Sequence, residues 1–196
     1  MGKIIGLTGL SGSGKGTVCK IMEDFNTLVL DCDSIAHRNM EPAGKAYDEI
    51  INAFGRGILY PDGTIDRKKL GDIVFSDSKA LEKLNSITHR YIKEYVINEI
   101  DKNKGKYEYI IIDAPLLLEA GLDSFCDEIW VVYADEDTRL ERVMERDNIS
   151  REKALLRFKN QKDFDRLKEY ADFVPDNSGT IEELKAQVYG FLRVGK

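Results

Sequence analysis

A glycine-rich segment close to the amino terminus constrains the fold more than any other part of this chain. Gly9-Leu10-Ser11-Gly12-Ser13-Gly14-Lys15 follows a short apolar run and precedes a helical pattern over residues 17–25. Its spacing matches the first seven positions of a phosphate-binding P-loop. Glycines let successive backbone N–H groups converge on an anion, and the helix terminus adds positive potential. The segment therefore predicts a strand, a nucleotide phosphate cradle and a helix, in that order.

The residues expected to hold the phosphates of ATP come from this loop and from the start of the helix. They are Gly12, Ser13, Gly14, Lys15, Gly16 and Thr17. Lys15 supplies a mobile cation for the β- and γ-phosphate oxygens, which also makes it a candidate catalytic residue. A plain structural turn between strand and helix is the alternative, but such a turn requires neither this many glycines nor a lysine at this position.

Short apolar runs alternate with longer helical patterns along the chain, which is typical of an α/β fold with a parallel sheet. Strands are predicted at residues 3–8, 27–31, 107–113 and 128–134, with a weaker fifth at 172–175. The continuously apolar run Ile110-Ile111-Ile112 is typical of a central strand covered on both faces. We therefore expect a P-loop fold with a five-stranded parallel sheet and flanking helices.

The pattern predicts one domain over residues 1–196, a length that is sufficient for a substantial core. The core is expected to comprise residues 1–32, 107–134 and 171–196. Residues 33–106 are predicted to form a helical substrate-binding region, with breaks near 55–63 and 77–78. Residues 135–170 are predicted to form a helical lid, in which Ser150 caps a new helix and Glu152 lies in its first turn.

Composition narrows the partners and the compartment. The formal net charge of −6 argues against a protein that coats nucleic acid. Cys19, Cys32 and Cys126 form no metal-ligand or redox pattern, so they are expected to be reduced thiols. The chain start shows no signal-peptide pattern and no apolar run has membrane-spanning length. We expect a cytoplasmic protein, a monomer or weak oligomer, that binds neither nucleic acid nor membrane.

Three aspartates stand at predicted strand ends, where open α/β sheets place ligand chemistry. Asp31 and Asp33 flank Cys32 after the second strand. Phosphoryl transfer requires one group that orients or deprotonates the attacking hydroxyl, and Asp33 is the candidate base. Its alternative role is the N-cap of a helix over residues 34–40. Asp113 ends the third strand. A carboxylate that holds Mg²⁺ directly or through water has this position in enzymes that transfer phosphoryl groups.

The residue after Lys15 departs from the general loop pattern, which has Ser or Thr there for Mg²⁺. Gly16 stands at that position, and the hydroxyl follows at Thr17. This Gly-Lys-Gly-Thr form resembles adenylate kinases, in which the magnesium shell is largely water. Thr17 and Asp113 are therefore the expected metal-site residues, with Mg²⁺ as the cofactor of ATP.

Several segments together resemble one family, dephospho-coenzyme A kinase, over nearly the full chain. They are residues 6–9 and 12–15, Asp31-Cys32-Asp33-Ser34-Ile35-Ala36-His37, Leu84-Asn85 with His89, and Asp113-Ala114-Pro115-Leu116-Leu117-Leu118-Glu119. The family phosphorylates the ribose 3′-hydroxyl of dephospho-coenzyme A, the last step of coenzyme A synthesis. The resemblance implies ATP and dephospho-coenzyme A as substrates and Asp33 as the base. The implied acceptor contacts are Asp33, His37, His89, Pro115, Leu116 and Leu117.

A basic helical segment resembles the lid of the same family. Arg139, Arg142 and Arg146 recur at i, i+3 and i+7, so they lie along one helix face and could close over ATP phosphates. The alternative is a solvated face with local ion pairs, such as Asp135 with Arg139. The resemblance implies a catalytic role for Arg146 and ATP contacts for Arg139 and Arg142. Asn177, in Asp176-Asn177-Ser178-Gly179, resembles an adenine-contacting loop.

The chain departs from the family pattern at three positions, namely Gly16, Cys32 and Arg90, where the family has Ser, Ala and Pro. Other functions therefore stay open. A nucleoside monophosphate kinase shares the loop and the lid, and Gly16-Thr17 favours it. A GTP-dependent switch requires Asn-Lys-x-Asp, whereas residues 160–163 have the order Asn-Gln-Lys-Asp. A nucleotide-binding protein without catalysis is the third alternative.

Overall fold

The computed structural model describes residues 2–159, 161 and 163–194, which form two compact units. The first unit combines Met1–Val29 with Lys104–Lys196, and the second is Leu30–Asn103. Among the helices of the described residues, none has the length and apolar character that crossing a membrane requires.

A parallel sheet forms the centre of the first unit. Its strands are β1 (Lys3–Gly9), β2 (Thr27–Asp31), β3 (Tyr109–Asp113) and β4 (Glu128–Val132), in the order β2-β3-β1-β4. β1 pairs in parallel with β3, with Ile5 opposite Ile111, and with β4, with Leu7 opposite Trp130. Residues 4–9 of β1 are all buried, as expected for a strand covered on both faces. The predicted parallel α/β architecture is confirmed.

The predicted fifth strand at residues 172–175 is wrong, because the sheet of the described residues has four strands. The segment does follow the edge of β4: Val131 N–H donates to the Phe173 carbonyl at 2.9 Å, and Tyr133 N–H donates to the Pro175 carbonyl at 3.0 Å. Pro175 has no N–H, so the next ladder bond is missing and only isolated bridges form. The apolar pattern predicted a strand at these residues, and the proline prevents a continuous one.

The helices alternate with the strands and fill both units. In chain order they are α1 (Lys15–Met22), α2 (Cys32–Asn39), α3 (Tyr47–Phe54), α4 (Arg67–Ser76), α5 (Ser78–Asn103), α6 (Glu136–Asp147), α7 (Arg151–Lys159), α8 (Phe164–Lys168) and α9 (Ile181–Val194). Short 3₁₀ turns lie at Arg56–Ile58 and Asp123–Phe125. Ser150 accepts a hydrogen bond from the Lys153 amide at 3.4 Å, which confirms the predicted cap of α7.

The core of the first unit packs α1 and α9 against the sheet. Trp130 is fully buried, and its ring meets Phe173 at 5.1 Å and Phe191 at 5.6 Å between centroids, both edge to face. Such aromatic pairs contribute about 0.5–1.5 kcal/mol beyond the area they bury. This packing joins α9 and the segment after α8 to β4. Burial also raises the pKa of the Cys126 thiol to about 12, and all three cysteines are thiols rather than disulfides.

The second unit is helical, with α5 packed against α2, α3 and α4. Gly55, with φ of 82°, follows α3, and α4 ends at Ser76 directly before α5, so the predicted helix breaks are confirmed. Arg90 lies in the interior of α5 and forms an ion pair with Glu49 of α3. A proline there would remove a helical hydrogen bond, so Arg90 suits a continuous helix.

Candidate active site

The loop between β1 and α1 has a backbone that only glycine adopts readily. Gly12 has φ of 81° and Gly14 has φ of 90°, both in the left-handed region. A Cβ on Gly12 would lie 2.5 Å from the Arg139 carbonyl oxygen, and one on Gly14 would overlap the side-chain amide of Asn177. Arg139 and Asn177 therefore pack closely against the loop, and the loop conformation requires glycine at both positions.

Two of the predicted nucleotide-binding side chains support this loop directly. Asn177 is buried, and its Nδ2 donates to the Ser13 carbonyl at 2.8 Å. Arg142 donates from Nη2 to the Asn177 carbonyl at 2.9 Å and from Nη1 to the Gly12 carbonyl at 3.4 Å. The sequence predicted ligand contacts for both residues, and the structure adds a role as loop supports. Their hydrogen bonds link three distant segments of the first unit.

A pair of glycine variants tests whether the loop backbone is as constrained as its contacts indicate. We expect Gly14→Ala to lower the free energy of unfolding by about 1–3 kcal/mol, because its φ is unfavourable for alanine and the new methyl group meets Asn177. Gly16 lies inside α1, where a Cβ would have none of the described atoms within 4 Å apart from its chain neighbours and the backbone of its own helix. Gly16→Ala should therefore stabilise the chain by up to about 1 kcal/mol through helix propensity. Chemical denaturation measures both, and equal effects of the two variants would contradict the loop geometry.

Lys15 and Asp113 lie together at the end of the sheet. Lys15 begins α1, Asp113 ends β3, and Lys15 Nζ lies 3.7 Å from Asp113 Oδ1. The Cys19 thiol is 3.8 Å from the other carboxylate oxygen. Both charged side chains are mostly shielded, with 18% of each exposed. The arrangement places a cation and a carboxylate beside the glycine-rich loop, as binding of a phosphate with its metal ion requires.

The oxygen donors beside the glycine-rich loop fit Mg²⁺ better than they fit a metal ion that is bound by protein side chains alone. Among the described residues, no group of three or more His, Cys, Asp or Glu side chains could hold a metal ion. Mg²⁺ usually keeps several waters and binds through one or two carboxylates and the substrate phosphates. Asp113 and the hydroxyl of Thr17 are oxygen donors of the right kind, and the Ser13 hydroxyl is buried without a hydrogen-bond partner in the described part of the chain.

The three arginines of α6 have different surroundings. Arg139 is buried, with Nη1 3.4 Å from Gln161 Oε1 and its guanidinium 4.5 Å from the centre of the Phe158 ring. Burial lowers its pKa. Arg142 supports the loop, as described above. The arginines that were expected to line one helix face therefore differ in their burial and in their hydrogen-bond partners.

Asp135 acts as the N-cap of α6. Its carboxylate accepts a hydrogen bond from the Thr138 amide at 2.9 Å. The ion pair that was weighed between Asp135 and Arg139 is not among the ion pairs of the described residues.

Arg146 is the exposed member of the set, with 61% of its side chain accessible. It donates from Nε and Nη2 to the two Asp147 oxygens at 2.8 and 3.0 Å. Arg157 of α7 also binds Asp147. The hydrogen bonds from Arg146 and Arg157 lower the pKa of Asp147 to about 2, with Arg146 the larger cause. Asp147 thus joins α6 to α7. The sequence did not predict this connection, because an aspartate in a highly charged helical segment is typical of an exposed surface.

A cavity of about 760 Å³ lies between Leu10 of the glycine-rich loop and side chains of α6, α7 and α8. Its lining includes Leu10, Glu136, Arg139, Leu155, Leu156, Phe158, Gln161 and Phe164. The apolar lining was not predicted, although Leu155 and Phe158 lie three residues apart in α7, a helical spacing. Of the segment 160–163 that was weighed for guanine binding, Asn160 and Lys162 lie outside the described residues.

The Pro115–Leu117 segment follows β3 and contributes to both core and surface. The Thr8 hydroxyl donates to the Pro115 carbonyl at 3.3 Å. Leu117 is fully buried, whereas 44% of Leu116 is exposed. Of the predicted acceptor contacts in this segment, Leu116 presents an accessible side chain and Leu117 belongs to the core.

The second unit carries Asp33, His37 and His89. Asp31 is the N-cap of α2, since its carboxylate accepts from the Ser34 amide at 3.0 Å and from the Ser34 hydroxyl at 2.6 Å. The alternative role of Asp33 as the cap is therefore wrong, because α2 begins at Cys32, two residues earlier than predicted. Asp33 is exposed in the first turn, with no hydrogen bond or ion pair to the described residues.

The two histidines lie on different helices. His37 is exposed on α2 and contacts the Arg67 guanidinium. His89 is half-buried on α5, and burial, followed by the charge of Lys93, lowers its pKa. Arg67 was not among the residues predicted from the sequence, since nothing in its local pattern distinguishes it from other surface arginines.

Comparisons with known proteins identify relatives over nearly the full chain. The model of the dephospho-CoA kinase family matches residues 3–183. A dephospho-CoA kinase of Carboxydothermus hydrogenoformans is 42% identical over 194 residues, covering 98% of this chain and 94% of that protein. One from Listeria monocytogenes is 40% identical, with 98% and 96% covered.

Solved structures share the fold. A structure from Thermus thermophilus superposes with a TM-score of 0.85 at 28% identity, covering 100% of this chain and 98% of that one. A dephospho-CoA kinase from Campylobacter jejuni superposes with a TM-score of 0.70 at 25% identity, with 98% and 96% covered. The resemblance inferred from the motifs is confirmed, and this chain belongs to the dephospho-CoA kinase family.

Proposed function

We propose that this chain transfers the γ-phosphoryl group of ATP to the ribose 3′-hydroxyl of dephospho-coenzyme A, which gives coenzyme A and ADP. Its family membership supports this reaction, which is the last step of coenzyme A synthesis. The observation that carries the proposal is the glycine-rich loop with Lys15 and Asp113 at its end, 3.7 Å apart. Phosphoryl transfer depends mainly on such positioning and charge neutralisation.

We assign a P-loop fold to the first unit, and we assign the binding of ATP to this unit. The backbone amides around Gly12, Ser13 and Gly14 would hold the phosphates, with Lys15 on the β- and γ-phosphate oxygens. When the phosphates bind, they compete with Asp113 for Lys15. Asn177 and Arg142 keep the loop in shape through the hydrogen bonds described above. The site is therefore organised before ATP arrives, which lowers the cost of ordering it.

Mg²⁺ is assigned to Asp113 and Thr17, with waters and phosphate oxygens as its other ligands. When bound, Mg²⁺ neutralises charge on the transferring phosphoryl group. Gly16 offers no hydroxyl at the position where the general loop pattern has one. Asp113 therefore carries most of the protein's share in holding the ion.

Asp33 is assigned as the general base. The acceptor hydroxyl gives its proton to the Asp33 carboxylate while its oxygen bonds to the γ-phosphorus. The bond from that phosphorus to the β,γ-bridging oxygen breaks, and ADP leaves. Asp31 caps α2, and Asp33 is exposed and makes no hydrogen bond or ion pair with the described residues, which supports its availability.

The lid and the acceptor contacts complete the proposal. Residues 135–170 are assigned as a lid that excludes water, which would otherwise accept the phosphoryl group. Arg146 would leave Asp147 to meet charge that develops on the phosphoryl group, and Arg139 lines the cavity beside Leu10. Residues 33–106 are assigned to acceptor binding, with His37 and His89, and Pro115 and Leu116 stay predicted acceptor contacts. A cytoplasmic location and a monomer or weak oligomer without nucleic acid stay predictions.

An acceptor panel tests the reaction. ADP release from Mg-ATP is measured with dephospho-coenzyme A, AMP, CMP, UMP and no acceptor. We expect fast release with dephospho-coenzyme A alone. Faster release with a nucleoside monophosphate would instead indicate a monophosphate kinase, and ATP binding without release in any mixture would indicate a nucleotide-binding protein without catalysis.

A further inference from the structure

Arg67 and His37 form an unusual pair of basic side chains in the second unit. Arg67 begins α4, His37 lies on α2, and Nη2 of the arginine contacts Nε2 of the histidine. Both side chains are exposed. Within the described residues, no carboxylate pairs with the Arg67 guanidinium. Four of its five N–H donors therefore have no protein acceptor in that part of the chain.

The contact has only one possible direction. A guanidinium only donates hydrogen bonds, so Arg67 donates and Nε2 of His37 accepts. The histidine therefore fixes the direction of the arginine without cancelling its charge. A carboxylate in the same place would have held Arg67 as well, but it would also have neutralised it. The pair therefore presents a fixed, uncompensated positive charge.

The position of His37 relates this charge to the candidate base. His37 follows Asp33 by four residues on α2, so the two side chains share one helix face. Arg67 thus lies beside the face that carries Asp33. An arginine at the first position of a helix opposes the helix dipole, so helix stability does not account for its placement.

We propose that Arg67, held in place by His37, binds the pyrophosphate of the acceptor and selects acceptors that carry one. This inference rests on the proposed function, in which Asp33 accepts the proton of the ribose 3′-hydroxyl. In dephospho-coenzyme A the pyrophosphate is attached to the 5′-carbon of that same ribose. A cation beside the helix face of the base is therefore suited to hold the anionic end of the nucleotide while the 3′-hydroxyl meets Asp33. The planar guanidinium donates to two phosphate oxygens at once, which a lysine does not do.

The proposal predicts that Arg67 affects one substrate and not the other. Arg67→Ala should raise the KM for dephospho-coenzyme A about 10- to 100-fold, the usual effect of losing charge-assisted hydrogen bonds. The KM for ATP should change less than about twofold. Arg67→Lys should restore part of the affinity, and His37→Ala should give an intermediate loss, because the arginine remains but loses its support. Adenosine, tested as a neutral acceptor at one fixed concentration, should react equally slowly with wild type and Arg67→Ala.

Two controls separate acceptor binding from damage to the fold. Arg56→Ala removes another exposed arginine of the same unit and should leave both KM values unchanged. Thermal unfolding of each variant reports on folding, and calorimetric titration with dephospho-coenzyme A alone reports on acceptor binding directly. An unchanged dissociation constant in Arg67→Ala, or an equal loss of activity with adenosine, would overturn the assignment of Arg67. Failure of the wild-type protein to phosphorylate dephospho-coenzyme A would overturn the proposed function and this inference together.

Discussion

Asp33→Asn is expected to lower phosphoryl transfer to dephospho-coenzyme A about 10²- to 10⁴-fold, which is the usual contribution of a general base. Asparagine has nearly the shape of aspartate but does not accept the proton. Because Asp33 is exposed and has no hydrogen bond within the described residues, the replacement should cost little stability beyond its favourable place in the first turn of α2. Single-turnover measurements with saturating Mg-ATP give the chemical step, and calorimetry gives ATP affinity, which should be unchanged.

Asp72→Asn is the matched control for this variant. Asp72 is an exposed aspartate on α4 of the same unit, so its replacement changes the net charge equally. It should turn over at the wild-type rate. If Asp33→Asn also kept the wild-type rate, Asp33 would have no part in the proton transfer.

Lys15→Met is expected to reduce kcat by about 10²- to 10³-fold, as loss of one positioned electrostatic donor does elsewhere. Methionine keeps most of the side-chain length and removes the charge that the phosphates require. The change also removes the ammonium group that lies 3.7 Å from the largely shielded Asp113 carboxylate. The rise in melting temperature that saturating Mg-ADP gives the wild type should therefore shrink or vanish in the variant, since ligand stabilisation follows affinity.

Lys20→Met serves as the control, because Lys20 is an exposed lysine on the same helix, α1. It should keep both activity and the nucleotide-induced shift. A Lys15→Met protein with the full shift and full activity would remove the lysine from the phosphate site.

The sequence was sufficient to predict elements that depend on local patterns. The strand, loop and helix around Gly12, Gly14 and Lys15 follow from residue spacing alone, and so does the buried β3. The fifth strand failed because an apolar pattern records burial but not the missing N–H of Pro175. The alternative cap role weighed for Asp33 failed because one residue separates Asp31 from Asp33, and only the backbone geometry shows that the Asp31 carboxylate accepts from the Ser34 amide.

Contacts between distant segments were beyond the reach of sequence patterns. Arg139 and Arg146 share a helical repeat, yet one is buried against Phe158 and the other is exposed beside Asp147. Helical spacing places side chains on a face but does not tell which part of that face another helix covers. The pairing of His37 with Arg67, thirty residues apart in the chain, is of the same kind. Such contacts are visible only in the tertiary structure, and the different roles proposed for these arginines and for His37 depend on them.

The position of the transferred phosphate on the product shows whether this chain phosphorylates the ribose 3′-hydroxyl of dephospho-coenzyme A. The wild-type protein is incubated with Mg-ATP and dephospho-coenzyme A, and the product is examined by phosphorus NMR and tandem mass spectrometry against authentic coenzyme A. We expect a single new phosphomonoester on the ribose 3′-oxygen and one ADP for each product. A phosphate on any other oxygen, or ADP formed without a phosphorylated acceptor, would contradict it.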